Sequence, residues 1–326
     1  MTNPSPLTRL FSSPEGRLAV IALAVFVLMS ALSPDRFLSA QNLTSMAFQF
    51  PEFAILALAM TLTMLTGGID LSVVGIANMT AIVAALIMTR MTGSGDGVAV
   101  MVLALSASLC LGMVAGLFNG LLVARFGLPP ILATLGSGLI FTGTAIALTK
   151  GSAIMGLPPA MAWIGNSRLL GVPTPLVLFA LLAGALSLIL TRTAFGLRVQ
   201  MYGANPLAAR FAAVNIDAML IRVYVLSGAL AAIAGMVVMS RANSAKADYG
   251  SSYLLLAVLI AVLGGVNPYG GYGRIVGVVL AVLSMQFLSS GLNMIGVSNF
   301  ARELIWGGLL IFVMIVNTWR PAGRRG

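Results

Sequence analysis

The chain has 326 residues, 59% of them apolar and 8% charged, with a formal net charge of +10. No soluble domain of this size keeps such a balance in water, so the solvent is lipid. The basic residues are scattered singly between apolar segments and read as topology signals, with no patch for nucleic acid. His is absent and Cys110 is the only Cys, which excludes disulfides, thiolate metal clusters and the commonest general base; no catalytic residue, metal site or cofactor is predicted.

A backbone inside hydrocarbon must satisfy its own hydrogen bonds, so the spans are helices or a closed barrel. Apolar runs of roughly 16 to 28 residues without period-2 alternation favour helices. Windows of about 19 residues place ten spans near 18–33, 47–66, 70–89, 98–124, 129–149, 173–191, 218–240, 252–265, 275–295 and 303–319. The eighth, at about 14 residues, falls short of the ~20 needed to cross and is expected to be tilted, broken or partly re-entrant. The first follows a short basic stretch, but no small-residue cleavage pattern follows it, so it is expected to remain as an anchor. The predicted organisation is all-α: a cytosolic segment 1–17, one membrane domain over 18–319 with about ten transmembrane helices, and a cytosolic tail 320–326.

Placing the N-terminus inside puts eleven basic and three acidic residues on the inner side, a net +8, against seven basic and five acidic outside, a net +2. Both termini are then expected in the cytosol, with the chain surrounded by membrane lipid.

Taken in order, the first motif is Thr66-Gly67-Gly68-Ile69-Asp70-Leu71-Ser72 at the inner start of the third span. Asp70 can act as a helix cap, accepting from the amides that follow; coupling to an ion or proton is the alternative for an intramembrane acid. Asn78, Asn119, Thr134 and Ser137 should face protein or a water-lined path, either as interhelical glue or as lining of a translocation path, and Asn78, Asn119 and Thr134 are the path candidates. Gly112, Gly116 and Gly120 recur every fourth residue and predict close helix packing.

The longest inner loop runs from Arg192 to Asp217. Asn205 is a favoured N-cap and Pro206 a favoured first helical residue, so a short helix is predicted from there to about Val214. Ala208, Ala209, Ala212 and Ala213 would let a partner approach closely, and Arg210 offers a cation. A docking helix for a cytosolic subunit and a plain surface loop obeying the positive-inside rule are both open readings. The Gly-rich run Gly264 to Arg274 lacks the Gly-Lys-Ser/Thr ending of a P-loop and predicts a tight inner turn whose glycines permit close packing.

Five stretches carry a resemblance: Gly67-Gly68-Ile69-Asp70-Leu71-Ser72-Val73, Phe118-Asn119-Gly120, Pro129 to Gly136, Gly203-x-Asn205 with Ala208-Ala209-Arg210, and Leu263-Gly264-Gly265 with Gly270-Gly271-x-Gly273. In this order they resemble the permease subunits of bacterial ATP-binding-cassette sugar importers of the ribose and branched-chain type. The resemblance implies a type II importer-like permease of the inner membrane that pairs with a second permease subunit, homo- or heterodimeric, with two cytosolic ATP-binding subunits and with a periplasmic substrate-binding protein. It also implies that Gly203, Asn205, Ala208, Ala209 and Arg210 form the coupling contact with the ATPase, and that ATP is hydrolysed in the partner. The sequence departs from the ribose-type pattern with Leu254 and Leu256, where acids are usual, and with Ala213, where Gly is usual. An ion-gradient-driven secondary transporter is the rival; it needs buried carboxylates or broken helices near the midplane, and only Asp70 comes close.

Overall fold

The computed structural model describes residues 13–91 and 97–318. Residues 1–12 of the predicted N-terminal segment, residue 319 at the end of the tenth predicted span and the predicted tail 320–326 lie outside the described residues, with Arg9, Arg320, Arg324 and Arg325; so do residues 92–96, with Asp96. Ten helices follow the ten predicted spans: α1 Pro14–Leu32, α2 Ala40–Met64, α3 Val73–Arg90, α4 Gly97–Ala124, α5 Pro130–Thr149, α6 Thr174–Arg192, α7 Ile216–Ala242, α8 Tyr253–Leu263, α9 Ile275–Met294 and α10 Asn299–Thr318. Four further helices, Pro34–Phe37, Pro159–Asn166, Ala194–Ala204 and Pro206–Phe211, lie in the connections. The chain is an all-α polytopic membrane protein.

Local chemistry sets the helix ends. Ser13 Oγ accepts from the Gly16 amide ahead of Pro14, and Ser39 Oγ from the Asn42 amide. Asn215 Oδ1 accepts from Ala218 at the start of α7, which stops at Asn243 in the left-handed region (φ 49°). Eight of the ten helices are long and apolar enough to cross a membrane. The exception anticipated by the sequence is α8, whose 11 residues rise about 16 Å at ~1.5 Å per residue, roughly half the ~30 Å hydrocarbon core.

α2, α3, α7 and α9 are mostly buried and form the centre of the bundle, while α1, α4, α5 and α6 turn large apolar residues such as Leu139, Leu181 and Leu188 outward. The Gly112, Gly116 and Gly120 series meets α7 at backbone contact: a Cβ on Gly116 would stand 2.2 Å from the Tyr224 carbonyl oxygen, and one on Gly228 would stand 2.2 Å from that of Gly112. Without a hydrophobic force between helices in lipid, such close approach is what gains dispersion energy.

The bundle ends are called inner and outer after the charge assignment. Four ion pairs among the described residues each join groups assigned to one side: Arg125 with Asp217 and Arg274 with Glu15 at the inner end, Arg241 with Glu52 and Lys246 with Asp248 at the outer. Two non-helical segments reach into the bundle from opposite ends. Residues 65–72 enter from the inner end as far as Ser227, eleven positions past Ile216 and about 16 Å along α7. Residues 243–252 enter from the outer end until the carbonyls of Ala247 and Tyr249 reach Asn78 on α3. Irregular backbone at that depth survives only where protein or a cavity surrounds it.

Candidate functional site

The inner end is organised around the short helix Pro206–Phe211. Asn205 caps it as predicted, its Oδ1 accepting from the amides of Leu207 and Ala208 at 3.0 Å each. The helix ends earlier than the expected Val214. Ala213 takes φ 54°, its amide donates to the Arg210 carbonyl and that of Val214 to the Ala209 carbonyl, which is the paired closure of a left-handed helix stop. Gly suits that conformation best, so the departure from the ribose-type pattern stands where the backbone most favours glycine.

The helix is not a free loop. A Cβ on Gly203 would stand 2.0 Å from the Leu65 carbonyl oxygen and 2.3 Å from the Gly271 amide, and one on Gly270 would stand 2.7 Å from the Gly67 amide. The Gly271 amide donates to the Leu65 carbonyl at 3.0 Å. The end of α2, the residues before the short helix and the Gly-rich turn thus meet backbone to backbone, and the distant glycine motifs of the sequence converge on one junction. Gly203 therefore lies against this permease's own backbone, and Ala209 is buried. Asn205, Ala208 and Arg210 are exposed. Sequence reasoning passed over Leu207 and Phe211, 60% and 84% exposed and one helical turn apart. Their i, i+4 spacing was the available signal.

Behind the junction lies a buried polar cluster. Asp70 Oδ1 accepts from the Ser72 amide at 3.0 Å and from its hydroxyl at 2.6 Å, and Asp70 Oδ2 accepts from Ser227 Oγ at 2.9 Å. Asn119 Nδ2 donates to Ser72 Oγ at 2.7 Å. Thr134 Oγ1 accepts from the Leu71 amide at 3.0 Å and lies 2.8 Å from the Pro130 carbonyl. Ser72 occupies the N-cap position of α3 without a side-chain cap bond of its own; Asp70, two residues earlier, accepts from the Ser72 amide and uses its second oxygen to bond α7. Asn119 and Thr134 knit α4 and α5 to this segment. Ser137 is buried on α5 and donates to the Thr134 carbonyl.

A cavity of about 450 Å³ lies on the outer side of the cluster, between α3 and α5. Leu71, Val74, Gly75 and Asn78 supply one wall at spacings of three and four, and Leu135, Gly138, Leu139, Thr142 and Ile146 supply the facing one. Both amide protons of Asn78 are engaged, at 2.9 Å to Ala247 and 2.8 Å to Tyr249, so its Oδ1 is what it can offer a solute. Lys246, Asp248, Ser251 and Leu254 line the outer part; Lys246 Nζ lies 2.8 Å from Asp248, which raises the lysine pKa. Of the three path candidates, only Asn78 reaches this cavity.

The sequence has counterparts among known proteins. The family described as the branched-chain amino acid transport system permease component matches residues 42–314. The chain belongs to this family. The permease is 35% identical to the autoinducer 2 import system permease protein LsrD of Enterobacter sp. (strain 638), over 92% of this chain and 91% of the relative. It is also 35% identical to the ribose import permease protein RbsC of Escherichia coli (strain K12), over 92% of each chain. LsrD of Photorhabdus laumondii is 33% identical over 90% of this permease and 88% of its own length. No solved structure matches the permease.

Proposed function

We propose that this permease is the membrane gate of an ATP-driven importer of the bacterial inner membrane, with a sugar or sugar-like solute as cargo. The names of its relatives, which concern ribose and autoinducer 2 import, support that class. In this reading a periplasmic binding protein delivers the solute, and a second permease subunit completes the gate. Two cytosolic ATPase subunits dock at residues 203–214, and both termini lie in the cytosol.

The observation that carries the proposal is the short helix held on the glycine junction. Leu207, Ala208, Arg210 and Phe211 form its outward surface, while Gly203 fixes it to the end of α2 and to the Gly-rich turn. A junction packed backbone to backbone has no soft side chains to absorb displacement, so movement of the helix by a partner is passed to α2 and to the segment 65–72. That segment ends in the Asp70 cluster, which joins α3, α4 and α7, and α3 is one wall of the cavity. Closure of the ATPase dimer would move these parts together and open the cavity alternately to the two sides.

Replacing Arg210 with Glu should uncouple ATP hydrolysis from uptake while membrane insertion stays intact. Reconstituted importer carrying Arg210→Glu is expected to show uptake reduced tenfold or more; unchanged uptake per ATP removes the docking assignment.

A further inference from the structure

We propose that the permease holds an anionic phospholipid in a site built by the residues leading to the short helix and by the start of α7. Two cavities adjoin there. One, of about 140 Å³, is lined by Phe195, Arg198, Asn215, Ala218, Met219 and Arg222. The other, of about 480 Å³, runs along Ile189, Thr193, Phe195, Arg222, Val225 and Leu226. They share Phe195 and Arg222, so a pocket with two guanidinium groups lies side by side with an apolar groove.

Asn215, Ala218, Met219 and Arg222 lie one above another on α7 at spacings of three and four, facing Arg198 of the helix Ala194–Ala204. Neither arginine has an ion-pair partner among the described residues, and Asp217, the nearest acid in sequence, pairs with Arg125 of the α4–α5 connection. The pocket is therefore positive, at the end of the bundle where chain meets headgroups. A volume of about 140 Å³ is nearly five waters' worth at ~30 Å³ each, room for a phosphate with its first ester group. Ile189, Val225 and Leu226 offer the apolar surface an acyl chain needs, and Phe195 and Arg222 border both cavities. Basic pockets between membrane helices attract acidic headgroups, and the guanidinium fork suits phosphate oxygens. A water-soluble phosphate would fill the pocket but leave the groove without a role, which favours the lipid.

The consequence is positional. Helix Ala194–Ala204 runs straight into Asn205, so a lipid bound between it and α7 would brace the helix on the glycine junction.

The test is retention of phosphatidylglycerol by the purified full-length permease, read by native mass spectrometry against phosphatidylcholine. The wild type should keep phosphatidylglycerol selectively. Arg198→Gln with Arg222→Gln should weaken retention about 30-fold, and the matching Lys pair should restore most of it. Val225→Trp, which fills the groove and leaves both arginines, should also displace the lipid, whereas glycerol phosphate should not compete. Retention equal to wild type in the Gln pair or in Val225→Trp overturns the site, as does effective competition by glycerol phosphate. An equal loss in Arg274→Gln, an inner arginine that pairs with Glu15 and lines neither cavity, would reduce the effect to general charge and likewise overturn it.

Discussion

Asp70, Ser72, Asn119 and Ser227 bond to one another at the inner side of α3, whereas five residues into the same helix Asn78 lines a cavity of about 450 Å³. The partners explain the difference. In the cluster, side chains from α4 and α7 and from the entering segment meet one another, and close glycine packing draws α4 onto α7. At Asn78 the partners are backbone carbonyls of a segment arriving from the outer end, whose irregular course leaves room between α3 and α5. Polar residues of one kind therefore seal or line according to whether the neighbouring backbone is helical or broken.

The contrast breaks most visibly at Gly203. Gly203→Ala, forced against the Leu65 carbonyl oxygen, should cost about 3 kcal/mol or more and abolish uptake, while Gly143→Ala, with open space around its Cβ position, should leave the thermal midpoint unchanged or raised. Equal midpoints for the two variants would show that the inner junction is not closed. Asp70→Ala comes next, since it strands the Ser72 amide and two buried hydroxyls; a loss of about 2–3 kcal/mol is expected in denaturant or thermal unfolding, with much of it recovered in Asp70→Asn. Asn78→Leu should cost less stability, about 1–2 kcal/mol, but lower uptake roughly tenfold because the cavity loses the polar group that α3 presents to it. A stability loss as large as that of Asp70→Ala with normal uptake would make the cavity structural only. The smallest effect belongs to Ala213→Gly, which relieves the left-handed alanine and should add about 0.5–1 kcal/mol without altering transport.

Much of this was legible beforehand. Ten helices follow apolar runs visible in the sequence, eight of them long and apolar enough to cross a membrane among the described residues; the shortness of α8 and the Asn205 cap were readable too, because lipid and chain polarity leave few local choices. The series Gly112, Gly116 and Gly120 pointed to close packing, though not to α7 as the neighbour. Pairings across the bundle were not readable: nothing in the spacing of Gly67, Gly203 and Gly271 says that they meet, since the contact depends on how three loops fold back. Asn119 and Thr134 looked like Asn78 as path candidates because residue type carries no information about which helix faces a cavity. Lys246, Asp248 and Ser251 were passed over for the same reason, lying in a connection whose re-entry leaves no periodic mark.

The docking claim is tested most directly at Phe211. In a Cys110→Ser background, Phe211→Cys can be probed with a membrane-impermeant maleimide in intact cells and in inside-out vesicles, with and without the ATPase subunit. Cytosolic docking predicts modification in inside-out vesicles alone, with protection once the ATPase is bound. Modification of intact cells from outside, or equal modification in the presence of the ATPase, contradicts it.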